Sequence, residues 1–103
     1  MYLKELEAAK RAAVMAGQAI MEIYESGDFG IESKSDDSPL TRADKAANRI
    51  IVDMLRERFP QHAILSEEEQ DDRERLNEKL CFVVDPLDGT KEFIKRNGQF
   101  TVN

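Results

Sequence analysis

FVVDPLDGTKEFIKRNGQFTVN, residues 82–103, sets an apolar, β-branched run against two aspartates, a glycine, a threonine and a cluster of cations. Leu80 to Val84 reads as a buried strand, and it ends in a carboxylate, Asp85. Upstream, AILS at residues 63–66 is a second short apolar run that leads straight into Glu67, Glu68 and Glu69. If the two strands are neighbours in one sheet, Glu67 lies beside Asp85, and Asp88 follows Asp85 through a turn. Two unit charges about 4 Å apart repel by about 4 kcal/mol at an effective dielectric of roughly 20, so three converging acids ask for a divalent cation. Magnesium takes hard oxygen ligands and keeps water and phosphate in its shell. Glu67, Asp85, Asp88 and the Leu87 carbonyl suit it.

Each piece also has a plainer role. DG is a common turn dipeptide, an aspartate after a strand often serves as a turn former or helix cap, and SEEEQDD suits a solvated face. The combination favours a site. Pro86 fixes its own φ and restricts Asp85 to an extended conformation, which holds that carboxylate at the strand end. Gly89 permits positive φ or a close approach, and the amides of Gly89 and Thr90 can face an anion if a helical turn begins there. GQFTVN then reads as the start of a third strand, with Phe100 and Val102 on one face.

Spacing removes three competing motifs. A calcium loop needs acids two apart with a following glycine, and there is no G-K-[ST] for a nucleotide P-loop. The D-x-D strand end of haloacid-dehalogenase phosphatases has one residue between its aspartates, whereas Pro86 and Leu87 both separate Asp85 from Asp88. The single histidine, His62, stands near Pro60 in a loop and reads as a surface residue.

The remainder of the chain supplies two helices and a modest core. From Leu3 to Tyr24, Leu6, Ala9, Ala13, Ala16, Ile20 and Ile23 recur three or four apart on one helical face. Gly27, Asp28 and Gly30 interrupt that pattern, and ESKSDDSP reads as a polar loop. Thr41 followed by Asp44 resembles a cap, and Ala43, Ala47, Ile50, Ile51, Met54 and Leu55 continue a second amphipathic helix that Pro60 ends. EEEQDDRERLNEK, residues 67–79, reads as a charged surface excursion.

Composition bounds the function. With 103 residues, 41% of them apolar and 35% charged, the chain suits one small soluble unit. Its 21 acids against 15 bases disfavour a nucleic-acid backbone binder, although a metal ion can invert the local charge for a small phosphorylated ligand. The longest uncharged apolar stretch is too short for a bilayer, and MYLKELEAAKRAA is amphipathic rather than a signal peptide, so a cytoplasmic location is expected. Cys81 is the one cysteine and reads as a small buried hydrophobe. Lys91, Lys95 and Arg96 suit either an anionic substrate or lipid surface, or a solvated turn.

DPLDGT, with LSEEE before it and SPLTRADKAANRII further upstream, resembles the inositol-monophosphatase-like superfamily of magnesium-dependent, lithium-sensitive phosphatases. Within it, DPLDGTKEFIKRNGQFTVN is similar to the 3'(2'),5'-bisphosphate nucleotidase branch, which removes the 3'-phosphate of adenosine 3',5'-bisphosphate in sulfate assimilation. The resemblance implies a layered α/β fold, here two long helices followed by strands of an antiparallel sheet. It implies that Glu67, Asp85 and the Leu87 carbonyl hold a first magnesium, and that Asp85 and Asp88 share a second. Asp44 and Thr90 would orient and deprotonate the attacking water, and Glu67 and Leu87 with the backbone at Asp88, Gly89 and Thr90 would line the substrate phosphate. Lys34 matches a mobile-loop lysine.

The same resemblance implies a further C-terminal region, with a Trp-Asp-x-Ala aspartate that completes the second metal site. On that reading residues 1–103 are the N-terminal part of one catalytic domain, and its sheet edges lie open. An inositol or sugar monophosphatase is the alternative with the same chemistry. A non-catalytic metal-binding or interaction fragment that forms a homodimer is the alternative of another class.

Overall fold

The computed structural model describes residues 2–34, 36, 39–69 and 80–103. Helix α1, Leu3–Ser26, ends on Gly27, whose φ of 75° is the left-handed cap that glycine adopts without a Cβ penalty. Strands β1, Glu32–Ser33, and β2, Pro39–Leu40, pair antiparallel. ESKSDDSP therefore contains a short ladder where the sequence reads as loop; Ser35, Asp37 and Ser38 lie outside the described residues. Helix α2, Arg42–Arg58, starts at a capping box in which Thr41 accepts from the Asp44 amide and Asp44 accepts from the Thr41 amide. It closes at Phe59, one residue before Pro60.

Helices α1 and α2 pack against each other. The most buried positions of α1 are Ala8, Ala12, Ala16 and Ile20, four apart, while Leu6 is 49% exposed. The expected stripe thus turns away from Leu6 towards an alanine row. Ala43 and Ala47 of α2 are also fully buried, and small side chains on both helices let the backbones approach closely. Size complementarity outranks hydrophobicity at this contact.

Strands β3, Ala63–Ser66, and β4, Cys81–Val84, form a parallel pair in the register Ala63↔Cys81 to Ser66↔Val84. This corrects the antiparallel expectation. A charged connection of more than a dozen residues joins the two strands, the length a parallel crossover requires, and its residues 70–79 lie outside the described part. The parallel direction has a consequence for the acids. Adjacent antiparallel strands would send Glu67 and Asp85 to opposite ends, whereas parallel strands deliver both to one end. The Glu67 amide indeed donates to the Val84 carbonyl at 3.1 Å.

After β4 the chain forms helix α3, Thr90–Ile94, and returns. The expected third strand is present only as backbone pairing. Asp88 and Thr101 bridge antiparallel, and Asp85 and Asn103 exchange two backbone hydrogen bonds of 2.6 and 2.9 Å. Phe100 and Val102 both pack on the core, as the alternation predicts. Phe93 is fully buried among Phe29 at 4.7 Å, Phe100 at 5.1 Å and Tyr24 at 5.2 Å between ring centroids. The Arg96 guanidinium lies 4.7 Å from the Tyr24 ring centroid and donates to the Tyr24 carbonyl. This cluster locks α3 and the segment after it, through Arg96 and Phe100, against the end of α1.

Two single-residue expectations change. Cys81 is exposed, not buried, because alternation along β4 turns Cys81 and Val83 to the face away from the core. His62 is only part-exposed: it stacks on Phe59 with centroids 5.2 Å apart and meets Glu5 at 3.1 Å. Among the described residues no helix is long and apolar enough to cross a membrane.

Candidate functional site

The first turn of α2 and the loop after β4 meet around Asp44. Capping explains its position, since residue N3 of a helix reaches back to the N-cap. Its carboxylate is fully buried and accepts three hydrogen bonds, the capping bond among them. The Thr41 amide and hydroxyl donate to Oδ2 at 2.8 and 2.6 Å, and the Thr90 hydroxyl donates to Oδ1 at 2.9 Å. Thr90 Oγ1 also lies 3.3 Å from the Leu87 carbonyl. The structure thus joins Asp44 to Thr90 across 46 residues of chain.

Gly89 shapes this loop. Its φ is 92°, and a Cβ there would meet the Gln99 carbonyl oxygen at 2.7 Å, so both conformation and space demand glycine. Pro86 and Leu87 are buried and anchor the loop from beneath. Asp88 remains exposed, held by backbone bonds to Thr101 and by the Asn103 amide side chain at 3.0 Å.

Asp85 is the unusual group. Its Oδ1 is buried without a hydrogen-bond partner, although buried polar atoms are nearly always satisfied. Burial first, then the charges of Glu67 and Asp88, push its carboxyl up to about 6 against an ordinary 3.8. A backbone hydrogen bond from Leu87 pulls the other way and is outweighed. The acids therefore sense one another, yet no three His, Cys, Asp or Glu side chains among the described residues form a closed ligand set. Glu67, Asp85 and Asp88 share one end of the β3–β4 pair without converging on a point, a spread that like-charge repulsion favours. The orphaned oxygen and the all-oxygen donor set fit a hard divalent cation, which satisfies such an atom and removes the repulsion.

Lys34 approaches from the segment after β1. Its Nζ lies 2.8 Å from Glu68 Oε1, and that glutamate side chain is only 5% exposed. Burial pulls the ammonium pKa down, but the Glu68 hydrogen bond and charge, aided by Asp44 and Glu67, hold it above its ordinary value. Sequence reasoning did not find Glu68 as its partner, nor the bonds of Asn48 and Ser66 described below. The only signal was the run of three adjacent glutamates, which carries no information about which of them is paired.

The inositol monophosphatase family model matches residues 2–103. The chain belongs to that family. It is 51% identical over 90 residues to the 3'(2'),5'-bisphosphate nucleotidase CysQ of Escherichia coli O157:H7, an alignment covering 85% of this chain and 37% of that protein. The crystal structure of CysQ from Bacteroides thetaiotaomicron, a bacterial member of the same family, is 47% identical, with a TM-score of 0.77 over 97% of this chain and 36% of that one. The extragenic suppressor protein suhB of Bartonella henselae is 26% identical with a TM-score of 0.84, covering 96% of this chain and 38% of that one. The chain spans less than two-fifths of the length of these relatives.

Proposed function

We propose that this chain carries the metal-binding and water-activating part of a magnesium-dependent phosphomonoesterase that removes the 3'-phosphate of adenosine 3',5'-bisphosphate. The observation that carries the reading is the Thr90–Asp44 hydrogen bond, together with the unpartnered Asp85 Oδ1 in the loop that leads into Thr90. The relatives named as bisphosphate nucleotidases, at about half identity, support the substrate class.

Glu67, Asp85, Asp88 and the Leu87 carbonyl would hold the cations. Bound there, magnesium supplies charge neutralisation for the phosphoryl oxygens and acidifies the attacking water. The chain's own groups do the proton handling. Thr90 gives its hydroxyl proton to Asp44 Oδ1, which leaves the oxygen lone pairs free to accept a proton from water. Thr41 fixes Asp44 from the other side, so the carboxylate cannot rotate away from Thr90. At the Gly89 turn the amides of Gly89 and Thr90 would meet the substrate phosphate, the Asp88 amide being taken by the Thr101 carbonyl, and Lys34 would add a positive charge held by Glu68.

Phosphate release from adenosine 3',5'-bisphosphate, measured with and without magnesium and with Asp85→Asn, tests the reading. Release that persists after chelation sinks it. Membership of the inositol monophosphatase family keeps an inositol or sugar phosphatase as the second reading. A higher kcat/KM for inositol 1-phosphate than for the bisphosphate nucleotide would select that alternative.

A further inference from the structure

The turn after β3 carries three consecutive glutamates whose surroundings differ. Glu68 is bound to Lys34 at 2.8 Å. Glu69 is held from α2 by Asn48 Nδ2 at 2.8 Å and Arg56 Nη2 at 3.2 Å. The Glu67 carboxylate makes no hydrogen bond or ion pair among the described residues, and the Glu67 amide donates to the Val84 carbonyl at 3.1 Å, which sets Glu67 at the strand end next to Asp85. Two of the three acids are tied down, and the remaining one stands at the same strand end as the unpartnered Asp85 carboxylate.

Asn48 is the residue that joins these contacts. Its Oδ1 accepts from the Ser66 hydroxyl at 2.5 Å while its Nδ2 donates to Glu69. Ser66 is buried, and its Oγ also accepts from the Glu68 amide at 3.3 Å. One carboxamide therefore grips both ends of the 66–69 turn from the neighbouring helix. Only a side chain that both accepts and donates can do so, which an aspartate or a lysine cannot.

We infer that Asn48 is a positioning residue: with Ser66 it clamps the 66–69 turn so that Glu67 alone is presented to a cation beside Asp85. This rests on the reading of Glu67 and Asp85 as cation ligands. A ligand held by such bonds loses less freedom when the cation arrives, and supporting contacts of this kind typically alter metal affinity by about 10–100-fold.

Titration with Mn²⁺, followed by the electron paramagnetic resonance signal of the free ion, tests the inference beside metal-free melting curves. Asn48→Ala and Ser66→Ala should each weaken Mn²⁺ binding about 10-fold at temperatures where the variant is folded. Ser66→Thr, which keeps the hydroxyl, should recover most of the loss. Arg56→Ala, which removes one of two donors to an exposed glutamate, should change affinity by less than about 2-fold. If Asn48→Ala does not fold, the two Ser66 variants decide. A lowered melting temperature with unchanged Mn²⁺ affinity overturns the positioning role and leaves the cation site standing. Failure of the unsubstituted protein to bind Mn²⁺ overturns the cation reading itself and this inference with it.

Discussion

Replacing Asp85 by Asn should stabilise the metal-free protein while abolishing its response to magnesium. Asp85 titrates at about 6 instead of 3.8 because burial and the charges of Glu67 and Asp88 disfavour its ionised form. A shift of about 2 units, at about 1.36 kcal/mol each, sets an upper bound of about 3 kcal/mol. The residue is only half-buried, and solvent screening reduces this to about 1 kcal/mol. The sign follows from the raised value. Stability is fully present below the unfolded carboxylate pKa and is lost as pH rises through about 6. At pH 7.5 without metal, Asp85→Asn should therefore melt about 4–8 °C higher than the parent, and at pH 3.5 the two should coincide. Added magnesium should raise the melting temperature of the parent and leave that of the variant unchanged. Calorimetry or circular dichroism at the two pH values checks this. Destabilisation by Asn at pH 7.5, or an equal gain at both pH values, would refute the electrostatic reasoning.

Gly89→Ala should cost about 1–3 kcal/mol through its left-handed backbone, with the 2.7 Å approach of a Cβ to the Gln99 carbonyl adding to it; denaturant titration measures the loss. Thr90→Val keeps the shape but removes the hydroxyl donated to Asp44, so turnover should fall by about 10²–10⁴-fold while magnesium still raises the melting temperature. A comparable loss of metal-induced stabilisation would argue against a role in proton handling. Glu5 lies below its ordinary 4.5, chiefly through its hydrogen bond to His62. Its contribution is present above that ordinary value and lost as pH falls through the lowered one, so Glu5→Gln should melt below the parent at pH 6, and the difference should shrink as the pH falls below 4.5.

Much of the fold was readable because local patterns and tertiary packing agree. The Thr41–Asp44 cap, the interruption at Gly27, the stop before Pro60 and the strands ending in Glu67 and Asp85 all depend on neighbours in sequence. Where reading and structure part, a distant partner decides. Ala8 and Ala12 outrank Leu6 because α2 offers alanines in return. Cys81 is exposed because the face of β4 that it occupies points away from the helices. His62 is partly covered because α1 brings Glu5 to it.

The site divides in the same way. Which residue types gather is written in DPLDGT and LSEEE, since oxygen-rich strand ends, a proline and a glycine impose their own conformations on the chain. Their mutual arrangement is not. The strand direction that brings Glu67 and Asp85 to one end is set by the parallel pairing of β3 with β4. The Thr90–Asp44 bond spans 46 positions, and the assignment of Lys34 to Glu68 and Asn48 to Glu69 depends on how α2 and the β1–β2 segment pack. Conformational preferences are local and can be read along a chain; hydrogen bonds between distant side chains exist only once packing has brought them within about 3 Å.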